Sequence, residues 1–180
     1  MKWVVWVGSV RKGSYNAAVA RALRALAPAD VEIEILPSVA ALPIYDADIQ
    51  AEGMPEAVTA LGATIGAADG LVIVTPEYNY SIPGGLKNAI DWVSRLKDQP
   101  FKGKPILLQS ASMGVLGGAR AQYHLRQVFV FLDGRLMNVP EVMVPTAHKK
   151  MGEDGELNDA PTRDFIAKQL EAFKAFVTAR

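Results

Sequence analysis

The chain has 180 residues, half of them hydrophobic and 21% charged, a length that suits one domain around one full-sized core. Nineteen Lys and Arg balance nineteen Asp and Glu, so no whole-molecule field favours nucleic acid or an anionic membrane. Cysteine is absent, which excludes a disulfide framework, a thiol nucleophile, a CxxC redox pair, thiolate zinc and cysteine-ligated iron–sulfur clusters.

Lys2 precedes a short apolar run that stops at Gly8-Ser9, ahead of Arg11 and Lys12. Without a small-residue cleavage site it reads as a buried strand over 3–7, not a signal peptide. No stretch approaches ~20 uninterrupted apolar residues, so no membrane span is expected and a cytoplasmic location follows. Residues 16–27 are helical, with Val19, Ala20, Leu23, Leu26 and Ala27 on one face and Pro28 behind them. Val31-Glu32-Ile33-Glu34-Ile35 alternates as a strand, and 37–53 reads as a long loop. A helix over 54–68 carries Pro55 in its first turn.

The run 70–75 is apolar on both faces and is the most strand-like in the chain. A helix over 83–96, a strand over 105–110, a helix over 119–132, a strand over 139–144 and a closing helix over 162–179 complete the order. Alternating βα units with strands apolar on both faces predict an α/β fold, a parallel sheet between helical layers. No repeat or linker divides it, so a single domain over 1–180 is expected.

Ligands of such sheets bind beyond the carboxyl ends of the strands, which directs attention to three loops. The first, Gly8-Ser9-Val10-Arg11-Lys12-Gly13-Ser14-Tyr15-Asn16, runs directly into a helix. Helix-opening amides, the hydroxyls of Ser9 and Ser14, Asn16 and the Arg11 fork suit a monophosphate. The P-loop reading lacks its Lys-Ser/Thr, and no GxGxxG is present. The plainer alternative is a helix start capped by Ser14 or Asn16. The second loop, Thr75-Pro76-Glu77-Tyr78-Asn79-Tyr80-Ser81-Ile82-Pro83-Gly84-Gly85, offers ring faces and amide edges to a planar heterocycle, or else tyrosines that merely pack. In the third, close-set glycines from Gly114 to Gly118 would admit a flat ligand, with Ser112 at its edge.

A GxSxG elbow, an HExxH pair and a carboxylate cluster are missing. His124 and His148 stand alone, and His124 reads as a surface or interface residue. The residues thus describe a phosphate pocket beside a flat-ring pocket without a catalytic side-chain constellation or metal site. Redox work in a chain without cysteine would fall to a bound group, and FMN fits best.

The first loop, the run from Pro76 through Asn88 to Trp92, and Ser112-Met113-Gly114 closely resemble the NADPH-dependent FMN reductase family. Within it, the bacterial quinone/chromate reductases are the nearest resemblance, over about 3–144. The resemblance implies a flavodoxin-like three-layer αβα sandwich, with a five-stranded parallel sheet in the order 2-1-3-4-5. It implies that Ser9, Arg11, Ser14 and Asn16 hold the FMN phosphate. Glu77, Tyr78, Asn79 and Tyr80 would line the isoalloxazine, with Ser112 and Gly114 nearby and Tyr15 and Pro76 also in the cofactor site. NADPH or NADH would deliver a hydride, and a quinone, chromate or azo compound would then accept two electrons in the same space.

The helix near 119–132 carries Leu125, Val128, Phe129 and Leu132 as an inner stripe, while Tyr123, Val130 and Phe131 fall elsewhere. Such a helix packs on a second side, against either another helix of the same chain or a second subunit. The resemblance implies a homodimer or homotetramer, and Tyr80, Arg120, Tyr123, Phe131 and Glu141 are the candidate interface residues. The rivals are a flavodoxin-type electron carrier, though such carriers tend to be strongly acidic, and a flavin-pocket regulatory module.

Overall fold

The computed structural model describes residues 1–179. Four parallel strands form the body of the sheet: β1 (Lys2–Val7), β2 (Glu32–Ile35), β3 (Gly70–Thr75) and β4 (Pro105–Ala111). The short β5 (Arg135–Leu136) completes the order β2-β1-β3-β4-β5, and β6 (Val142–Val144) also pairs with β4. This is the expected 2-1-3-4-5 order of a flavodoxin-like sandwich.

Alternation along β1 explains the two layers. Trp3 and Val5 point into one core with α1 (Tyr15–Leu26) and α6 (Ala160–Thr178). Val4 and Trp6 point into the other, against α3 (Glu56–Ala67), α4 (Gly84–Ser94) and α5 (Ala119–Phe131). Leu71 and Ile73 follow Trp6, whereas Val72 and Val74 follow Val5. Each fully buried aliphatic side chain contributes about 1.5–3 kcal/mol, which is why strands apolar on both faces settle in the middle.

Two expectations need correction. The 37–53 segment holds a 3-10 turn at Val39–Ala41 and a short helix, α2 (Ala47–Glu52), capped by the Asp46 carboxylate accepting from Asp48 N. None of the α2 residues is buried, so no apolar stripe announces it. The segment is fastened to α4 instead, where Asn88 accepts from Tyr45 N at 2.7 Å, and Asn88 and Trp92 both donate to Pro43 O.

The strand expected over 139–144 is shorter than expected. Only β6 forms within it, after Pro140 and beside Gln109 to Ala111, while β5, beside Pro105 and Ile106, is a separate strand ahead of it. Proline has no N–H to give a ladder. Buried amides satisfy the carbonyls there: Gln169 donates to Pro140 O at 2.7 Å, and Gln122 to Val142 O at 2.7 Å. The sheet therefore presents the ends of β1, β3 and β4 together at one edge, each followed by one of the three loops.

Candidate functional site

Ser14 is the cap of α1: its hydroxyl accepts from Ala17 N at 3.3 Å and its carbonyl from Ala18 N at 3.1 Å. The N–H groups of Tyr15 and Asn16, orphaned as in any first turn, find no acceptor among the described residues. Arg11 folds its guanidinium over the Tyr15 ring, 5.0 Å from the centroid, leaving a cation beside those donors. Asn16, 3% exposed, differs from the expectation of a free side-chain donor. Its Nδ2 donates to Ala111 O at 2.9 Å and its Oδ1 accepts from Ala111 N at 2.8 Å. The side chain ties the start of α1 to the end of β4, and what it offers a ligand is its backbone N–H.

The second loop closes on itself. Tyr78 N donates to Ser81 O at 3.1 Å, and Ser81 N to Tyr78 O at 3.0 Å. Asn79 and Tyr80, between them, both have positive φ, 49° and 68°. That is the geometry of a type I′ turn. Asn tolerates it, but Tyr80 costs on the order of 1 kcal/mol there. External contacts supply the compensation. The Arg120 guanidinium lies 3.6 Å from the Tyr80 ring centroid and donates to Glu77 Oε1 at 3.2 Å. Glu77 Oε2 accepts from Arg120 N at 2.9 Å and from Ala121 N at 3.2 Å. Glu77 thus caps α5, whose own cap residue, Gly118, supplies no side chain.

In the third loop, Ser112 Oγ accepts from Gly114 N at 3.0 Å, and Ser112 O accepts from Ala147 N. Gly117 and Gly118 both have positive φ, and a Cβ on Gly118 would stand 2.7 Å from Ser110 Cβ. The close approach of this loop to β4 therefore depends on glycine.

Together the loops enclose a cleft of about 290 Å³ lined by Ser9, Arg11, Ser14, Tyr15, Asn16, Pro76, Glu77, Tyr78, Ala111, Ser112 and Met113. A recess of about 240 Å³, lined in part by Gly114 and Arg120, shares the walls Glu77 and Ser112 with it. Asn79 and Tyr80 line neither and stand at the tip of their turn. Ala111 and Met113 join the wall without having been singled out, though both flank Ser112 in sequence. His124, read as a surface or interface residue, shares a 2.9 Å hydrogen bond with Ser81 Oγ through its Nδ1.

The expected interface residues form two groups. Tyr80 and Arg120 are stacked beside the cleft, and Tyr123 Oη donates to Glu141 Oε2 at 3.4 Å close by. Phe131, 88% exposed, ends α5 about 16 Å along the helix axis from Arg120, away from the cleft. Leu125 and Phe129 are buried and Val128 and Leu132 partly so, as the inner stripe requires.

Comparison with known proteins places this groove in a family. The family model described as NADPH-dependent FMN reductase matches residues 1–149. A quinone reductase of Escherichia coli K12 is 57% identical over 176 residues, 97% of this chain and 94% of that protein. An NAD(P)H-dependent FMN reductase of Pseudomonas aeruginosa is 48% identical over 170 residues, 94% and 91% of the two chains. Among solved structures, the flavoenzyme NAD(P)H:(acceptor) oxidoreductase FerB of Paracoccus denitrificans is similar with a TM-score of 0.87 and 35% identity, covering 98% of this chain and 96% of its own. With the match running over most of its length, the chain belongs to the NADPH-dependent FMN reductase family of oxidoreductases.

Proposed function

We propose that this chain is an FMN-dependent NAD(P)H oxidoreductase that reduces quinones by two electrons in a ping-pong cycle. The groove carries the reading, with unpaired helix-start N–H donors at one end and a tyrosine-and-glycine wall at the other. The donor set fits the cofactor. Tyr15 and Asn16 N–H, the Ser9 and Ser14 hydroxyls and Arg11 would hold its phosphate, while Pro76, Glu77, Tyr78, Ser112 and Gly114 would border its ring. FMN, when bound, supplies the redox chemistry. The protein's part is to fix orientation: Asn16 clamps the phosphate end to β4, and Glu77 locks the ring wall to α5. Tyr78 and Met113 are exposed at the rim, leaving an open side for nicotinamide and then acceptor to occupy in turn.

Among the described residues no helix is long and apolar enough to cross a membrane, and we place the enzyme in the cytoplasm as a single domain. The exposed Tyr80, Tyr123 and Phe131 support assembly as a homodimer or homotetramer. Chromate and azo compounds belong to the acceptor range we propose.

Anaerobic mixing with NADPH or NADH tests the function. Prompt bleaching of the flavin absorbance, restored by a quinone, is expected, together with parallel double-reciprocal plots. Absence of bleaching with both nucleotides would overturn the assignment in favour of a flavodoxin-type carrier or a binding module.

A further inference from the structure

We propose that His124 is a positioning residue: by fastening Ser81 it holds the turn at 78–81 in the shape that lets Tyr78 wall the cleft. The proposal's functional consequence rests on the flavin reading above, while the latch itself does not.

The turn is poorly held by its own chain. Asn79 and Tyr80 both occupy the left-handed region, and neither is glycine. Within the single chain Tyr80 is 65% exposed, so its own subunit does not anchor it by burial. Three fastenings come from α5 instead, all within its first two turns. Glu77, just before the turn, bonds Arg120 N and Ala121 N. The Arg120 guanidinium covers the Tyr80 ring at 3.6 Å. His124, four residues on and therefore on the same helix face, reaches Ser81 Oγ at 2.9 Å.

Ser81 is the closing residue of the turn, bonded through both its N and O to Tyr78. Fixing Ser81 thus fixes Tyr78, which lines the cleft. His124 does not line it, so it acts through Ser81 and Tyr78 rather than on a ligand. Arg120 holds Tyr80 and His124 holds Ser81, neighbours in the turn, and removal of either leaves a turn free to relax toward ordinary φ values.

Three variants test this: His124→Phe keeps a ring but removes the nitrogen, His124→Asn restores a polar atom near the Nδ1 position, and Ser81→Ala removes the other partner. In the apoprotein, amide exchange of the peptide spanning 77–81 is expected to quicken about fivefold in His124→Phe and Ser81→Ala. It should return to within about twofold of wild type in His124→Asn. FMN titration and steady-state kinetics should show the same pattern. The FMN dissociation constant and the acceptor KM rise about fivefold, with kcat within about twofold. The double variant should be no worse than either single one.

Unchanged exchange in His124→Phe, failure of His124→Asn to restore it, or additive losses in the double variant would each overturn the latch. If the wild-type protein fails to bind FMN, the flavin reading falls, and the apoprotein exchange still decides the latch.

Discussion

Asn16 and Ala111, 95 positions apart, are joined by a reciprocal pair of buried hydrogen bonds at 2.8 and 2.9 Å. The pair links the helix start that would receive a phosphate to the strand end that leads into the glycine loop. Asn16→Ala leaves a buried N–H and carbonyl of Ala111 without partners, a loss of about 2–3 kcal/mol. The melting temperature of the apoprotein is expected to fall by roughly 4–10 °C, and FMN affinity with it. Asn16→Asp keeps the acceptor but sets a carboxylate against Ala111 O, so it should do at least as much damage. Thermal unfolding followed by circular dichroism checks both, and a wild-type melting temperature in Asn16→Ala would contradict the clamp.

Glu77 performs two tasks that can be separated. Its carboxylate caps α5 and pairs with Arg120. Glu77→Ala loses both, with an expected cost of about 1–2 kcal/mol. Glu77→Gln keeps an oxygen for Arg120 N and Ala121 N while losing the charge, so it should retain more than half of that stability. Urea unfolding of the two variants in parallel distinguishes them.

Gly8 is where the phosphate loop leaves β1 against β3. A Cβ there would lie 2.5 Å from Thr75 Oγ1 and 3.0 Å from Leu86 Cδ2. Gly8→Ala is expected to cost about 1–3 kcal/mol through overpacking and to weaken FMN binding by shifting the loop. Thr75→Ala, which removes the nearest atom, should recover part of that loss in the double variant. Additive losses would show that the clash is not the cause.

One source of acid sensitivity should lie at the start of α6. The Asp159 carboxyl is held below its ordinary value of 3.8, first by the Thr162 hydroxyl, then by Lys150 and Thr162 N. A depressed folded value stabilises the native state above 3.8 and is lost as pH falls through the lower, folded value. Asp159→Asn should therefore be less stable than wild type at pH 7, with the gap narrowing as the pH drops toward that window. Urea midpoints measured from neutral to acid pH give the answer, and a gap that stays constant would remove Asp159 as the source.

The strands β1, β3 and β4 were legible because residues apolar on both faces have only the middle of a sheet to occupy. α2 was not, since none of its residues is buried and its anchors are Asn88 and Trp92 on another helix. The last strand was read as continuous because Val139 and Val142 to Val144 look alike in a pattern, whereas Pro140 breaks the ladder. In the site, the cap on Ser14 follows from local chemistry. The clamp of Asn16 and the capping of α5 by Glu77 join residues far apart in sequence, which no local spacing encodes. Likewise, nothing in Asn79-Tyr80 announces a left-handed pair; it exists because Arg120 and His124 hold it.

The alternation of β1 sends one indole into each layer. Trp3 meets Phe173 edge-on at 4.9 Å, and Trp6 lies over Phe101 at 6.5 Å in the opposite layer. Trp92, whose ring meets Tyr45 at 5.0 Å, reports on the loop fastened to α4. The protein therefore carries three tryptophan fluorophores at three separate addresses. Variants retaining one tryptophan each would reveal, by emission alone, whether its two halves melt as one unit or in succession.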